Sequence, residues 1–128
     1  MKRKALICSD RGRQSIGPVR DCLLDRGYEA VVKVTFRAML NYLKSNDPNV
    51  AIVYNEIENP NPFLAFGQII REVRAIKDIP LVFLTCYVCN PVDLESAAEG
   101  FGYKRLAVLR EPIDQRSLEE ALKSLKLF

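Results

Sequence analysis

Val50-Ala51-Ile52-Val53-Tyr54 follows the turn-forming cluster Asn46-Asp47-Pro48-Asn49 and runs five residues without a polar interruption. A strand with one wet face alternates polar and apolar positions, so an unbroken run of this kind marks a strand buried on both faces. The same signature stands at Ala5-Leu6-Ile7-Cys8, at Pro80-Leu81-Val82-Phe83-Leu84-Thr85 and at Leu106-Ala107-Val108-Leu109. Tyr28-Glu29-Ala30-Val31-Val32-Lys33-Val34 is rich in β-branched residues and reads as a further strand.

Helical patterns separate these runs. Val19, Cys22, Leu23 and Arg26 follow helical spacing from Gly17 onward; Pro18 suits the first turn and Gly27 the stop. Thr35 is placed to cap a helix whose apolar positions Phe36, Met39, Leu40 and Leu43 repeat at i, i+3, i+4 and i+7. After Asn59-Pro60-Asn61-Pro62, a longer helix carries Phe63, Phe66, Ile69, Ile70, Val73 and Ile76 on one stripe. Asn90-Pro91 opens a shorter helix through Leu94, Ala97 and Ala98 to Gly100. The last begins near Asp114, buries Leu118, Ala121, Leu122 and Leu125, and brings Lys123 and Lys126 to its negative end. Strand-then-helix repetition of this kind implies an α/β fold with a parallel sheet and helices on both faces, here as one domain over 1–128.

In such sheets function gathers beyond the carboxyl ends of the strands. The residues to weigh are therefore Ser9, Asp10 and Arg11, then Tyr54, Asn55 and Glu56, then Thr85, and finally Arg110, Glu111 and Pro112. Composition narrows their chemistry. The 128 residues include no histidine, which excludes Ser-His-Asp and Cys-His pairs and imidazole ligation of zinc. The balance of 19 basic against 16 acidic side chains, a net +3, is too mild for a dedicated polyanion binder. Met1-Lys2-Arg3-Lys4 leads into too few apolar residues for a signal peptide, and no run is long enough to span a membrane, so a reducing cytoplasm is expected.

The strand ends together resemble the receiver domain of bacterial two-component response regulators, the CheY-like family. Arg26-Gly27-Tyr28-Glu29 is similar to its common helix-to-strand junction, and Ile79 to Tyr87, with Thr85 at the tip, to its fourth strand. Ala98-Glu99-Gly100-Phe101 follows at the family's usual distance, and Glu111-Pro112 before an acid-capped helix looks like its strand-five exit. The resemblance covers nearly the whole chain and implies a flavodoxin-like (βα)5 sheet in the order 2-1-3-4-5. It also implies a reaction: a carboxylate ending strand three accepts a phosphoryl group. An acid pair after strand one holds a divalent metal, and a hydroxyl and a lysine bond the phosphoryl oxygens.

Carried over by position, the acid pair falls on Ser9 and Asp10, and the acceptor on Tyr54 or, one residue on, Asn55. Thr85 keeps the hydroxyl, Glu111 stands where the lysine belongs, and Val108 replaces the aromatic that many receivers carry on strand five. Neither tyrosine nor asparagine forms an acyl phosphate, and Glu111 beside Asp10 repels one. The expectation is a pseudo-receiver, not an enzyme, that signals without phosphorylation. Its partner, or a second copy, would meet the face formed by Val92–Glu99, Leu106–Leu109 and Asp114–Leu125.

Three other readings compete. Glu56 could be a displaced acceptor in an otherwise conventional phosphorelay receiver, although a one-residue shift along a strand turns the side chain to the other face. Asp10 and Glu56 are the candidate ligands for Mg2+, with Glu111 nearby, but few oxygens without a fixed carbonyl hold it weakly; no other cofactor is implied. Cys86-Tyr87-Val88-Cys89 is a C-x-x-C at a helix start and offers a thiol-redox protein, outside the thioredoxin-like strand context that gives this motif force. Gly12 and Gly17 form no phosphate loop, and Lys2-Arg3-Lys4, Arg11, Arg13 and Lys104-Arg105 read as a solvated charged surface and not a nucleic-acid site.

Overall fold

The structure, a computed structural model, describes residues 3–9, 13–54, 62–85, 96, 100, 105–110 and 113–127. In chain order the elements are β1 (Arg3–Cys8), α1 (Arg13–Asp25), β2 (Tyr28–Lys33), α2 (Phe36–Ser45), β3 (Val50–Tyr54), α3 (Pro62–Ile76), β4 (Leu81–Thr85), β5 (Leu106–Arg110) and α4 (Gln115–Ser124). The strands form one parallel sheet in the order β2-β1-β3-β4-β5. Of the helix expected after Asn90-Pro91, only Ser96 and Gly100 are described, and both are helical; its other residues lie outside the described part.

The unbroken apolar runs are explained by two cores, one on each face. Ala5, Ile7, Val50, Ile52, Val82 and Leu84 pack with Val19, Cys22 and Leu23 of α1 and Leu118 and Leu122 of α4. Their alternates Leu6, Cys8, Ala51, Val53, Leu81 and Phe83 pack with Met39 and Leu43 of α2 and Ile70 and Val73 of α3. Side chains on a strand alternate faces, so every position of a central strand must be apolar when both faces are covered.

Helix ends follow local chemistry. The Thr35 hydroxyl accepts from the Ala38 N–H at 3.1 Å, and the Asp114 carboxylate accepts from the Ser117 N–H at 2.7 Å. Gly27 stands at φ 82°, the left-handed turn that a helix stop favours and a glycine adopts freely. α4 ends differently: Lys126 takes φ 61°, its N–H donates to the Lys123 carbonyl at 2.9 Å, and the Leu127 N–H reaches back to Leu122 at 3.0 Å. That is a Schellman closure built on lysine in place of glycine. The Leu127 carbonyl then accepts from the buried Tyr28 hydroxyl at 3.0 Å and from Arg3 Nη1 at 2.8 Å, tying the chain end to β1 and β2.

Two boundaries correct the sequence reading. α1 starts at Arg13, not near Gly17, and carries Pro18 inside it instead of in its first turn. Pro18 lacks the N–H that would meet the Gln14 carbonyl, at a cost of ~3 kcal/mol for an interior proline. Burial of Val19, Cys22 and Leu23 outweighs it at about 1.5–3 kcal/mol for a large apolar side chain. β2 ends at Lys33, leaving Val34 outside the strand and 63% exposed.

Candidate functional site

The order β2-β1-β3-β4-β5 reverses between β1 and β3, and the crevice beyond their carboxyl ends is where such a fold builds a site. The register sets the residues that border it. Cys8 pairs with Val53, so Ser9 leaves β1 level with Tyr54. Tyr54 pairs with Leu84, and Thr85 with Arg110. Ser9, Tyr54 and Thr85 are thus brought to one edge of the sheet, as the sequence predicts; the Thr85 side chain lies outside the described part.

Ser9 is 3% exposed, and its N–H donates to the Lys33 carbonyl at 3.0 Å. Of Tyr54 and Asn55, the two residues on which the sequence reading puts the acceptor, Tyr54 is a core residue. Tyr54 is 7% exposed and belongs to the cluster of Ile52, Val82 and Leu84 on the α1–α4 face. Val108 is likewise buried, among the α2–α3 core residues.

Arg110, one of the strand-end residues to weigh, is a cation at this end of the sheet. It is exposed, it ends β5, and it sits level with Thr85, one residue before the expected lysine position. The ladder adds its partner, because parallel pairing aligns the last residues of adjacent strands. Asp10, Asn55, Glu56, Glu111, Pro112, Cys86 and Cys89 lie outside the described residues, and with them the displaced-acceptor, Mg2+ and thiol-redox constellations. Among the described residues no group of three or more Cys, Asp or Glu side chains is placed to hold a metal ion.

The remaining thiols are packing residues. Cys8 and Cys22 are buried in the cores on opposite faces of the sheet, so they cannot share a bond or a metal. Burial pushes the Cys22 thiol up, with the Glu119 carboxylate adding to the shift. Glu119 itself is held below its ordinary range by its bond from Arg26, 3.0 Å away, and by Gln115. No helix among the described residues is long and apolar enough to cross a membrane.

No family model matches this sequence, and no curated protein does. Solved structures do. The chain is similar to a CheY-like response regulator receiver domain protein from Methanospirillum hungatei, with a TM-score of 0.74 and 17% identity over 99% of this chain and 94% of that one. A response regulator from Thermotoga maritima gives a TM-score of 0.73 at 13% identity over 98% of both chains. A CheY-like receiver domain from Methylobacillus flagellatus gives 0.72 at 19%, over 98% of this chain and 99% of that one. The likeness at these identities is one of architecture. The chain has the receiver fold of two-component response regulators.

Proposed function

We propose that this chain is a pseudo-receiver: a non-enzymatic signalling domain that keeps the receiver fold, does not accept a phosphoryl group, and acts by binding another protein. The observation that carries the reading is Tyr54, at the end of β3 and packed in the core at 7% exposure. Phosphoryl acceptance in this fold needs an ionised oxygen open to the incoming phosphorus, with a metal and cations to spread its charge. Tyr54 supplies neither the carboxylate nor the opening, and by sequence Glu111 puts negative charge where a cation is needed. With the covalent switch gone, what a partner can read is surface. β5 and the outer side of α4, where Arg116, Glu120 and Lys123 are exposed, are the described parts of the face through which we expect it to bind.

The test is to incubate the purified chain with a small phosphodonor and Mg2+ and to measure its intact mass. No added phosphoryl group is expected. Stoichiometric addition overturns the reading, and a modified peptide carrying Glu56 would make the displaced-acceptor mechanism the correct one.

A further inference from the structure

The geometry points to β2 as a self-pairing edge, through which two copies of this chain join their sheets antiparallel about a two-fold axis at Val31. Among the described residues β2 pairs only with β1, so one long side of it is a sheet edge. Its free side can be identified. The Lys33 carbonyl accepts from the Ser9 N–H, which turns the backbone groups of Lys33 toward β1. Backbone direction alternates along a strand, so Val31 and Glu29 also turn inward, and Ala30 and Val32 present N–H and C=O outward.

Natural edges are guarded against self-pairing by proline, by bulges, or by charge of one sign. β2 has no proline and pairs with β1 in unbroken register from Tyr28 to Lys33. Its charges are Glu29 and Lys33, of opposite sign and equally spaced about Val31. About a two-fold axis at Val31, Ala30 of one copy faces Val32 of the other, and these outward residues exchange reciprocal backbone hydrogen bonds. Glu29 then faces Lys33 of the second copy on both sides of the axis, in the non-hydrogen-bonded positions where side chains approach most closely.

Faces agree as well. Ala30 and Val32 pack toward the α1–α4 core and Val31 toward the α2–α3 core, so Glu29 and Lys33 share the face of Val31. A two-fold axis perpendicular to the sheet keeps each face on its own side. Sliding the register by one position in either direction sets Glu29 or Lys33 against a valine and loses both charge pairs. The pairing also brings Val34, exposed beyond the end of β2, opposite Tyr28 of the second copy.

Sedimentation equilibrium of the full chain over a range of concentrations tests this directly. The unmodified chain is expected to dimerise. Glu29→Lys opposes lysine to lysine at both ends of the pairing and should weaken the dimer by about tenfold or more. The double variant E29K/K33E reverses both charges and should regain the original affinity to within a few-fold. Far-UV circular dichroism of each variant verifies the monomer fold; if Glu29→Lys does not fold, Lys33→Glu supplies the single reversal. A chain monomeric at every concentration overturns the inference. So does a dimer that ignores the single reversal, or one that the double reversal fails to restore.

Discussion

Replacing Tyr54 by aspartate puts a carboxylate at the end of β3, where the receiver family carries one, and asks whether this fold still has room for it. The ring is almost wholly buried beside Ile52, Val82 and Leu84. Truncating a buried aromatic costs ~3–5 kcal/mol through lost transfer energy and the cavity left behind. A carboxylate in that cavity adds the penalty of taking a charge out of water. The sum is a large share of the ~5–15 kcal/mol that holds a domain folded. With a urea dependence of ~1–3 kcal/mol per molar, the unfolding midpoint of Tyr54→Asp should fall by more than about 1 M. The chain has no tryptophan, so far-UV circular dichroism is the natural signal. Tyr54→Phe keeps the ring, and its cost should stay within about 1.5 kcal/mol, the range of one hydrogen bond. If Tyr54→Asp instead lies within about 1 kcal/mol of the unmodified chain, the size of an ordinary surface change, the end of β3 is a solvated pocket. The claim that the core has closed over the acceptor position would then be wrong.

Other consequences are local. Lys126→Gly should raise stability by ~0.5–1 kcal/mol, and the melting temperature by a few degrees, because relief of the left-handed strain at φ 61° exceeds glycine's added entropy in the unfolded chain; an unchanged or lower melting temperature counts against the Schellman closure. Tyr28→Phe removes the hydroxyl that donates to the Leu127 carbonyl and should cost about 1 kcal/mol in urea unfolding, with Arg3 still bound to that oxygen; no loss would mean the chain end is not held there. The Ser117 N–H holds the Asp114 carboxyl below its ordinary range. A group whose pKa is depressed by folding stabilises the fold above its unfolded value, roughly pH 4, and loses that contribution as pH falls through the folded value. The difference in urea midpoint between the unmodified chain and Asp114→Ala should therefore narrow on acidification below ~pH 4, and a gap constant with pH refutes this account.

The central elements were legible because their signals are local and redundant. Val50 to Tyr54 could only be a strand covered on both sides, and Thr35 and Asp114 announced their helices by side-chain type alone. α1 was misread at its start because Pro18 is a strong local signal and the burial that overrides it comes from the sheet beneath. The stop of α4 was invisible for the opposite reason: no glycine marks it, and Lys126 is held in its turn by its own hydrogen bond to Lys123 and by that of Leu127 to Leu122, which exist only once the helix has formed. At the candidate site the residue types at Ser9, Tyr54 and Thr85 were readable in order. Their alignment at one edge, and the place of Arg110 beside Thr85, came from the ladder.

By itself, then, the sequence determined the alternation of strands and helices and the two-sided burial of the sheet. These depend on side-chain chemistry and on periods of a few residues, which the chain carries in one dimension. Only the tertiary structure decided that Tyr54 is packed into the core, that Leu127 is tied to Tyr28 and Arg3, and that β2 lies at an edge with Ala30 and Val32 turned outward. Those facts depend on which distant segments lie side by side, and hydrogen-bond direction and burial acquire values only when the sheet is assembled.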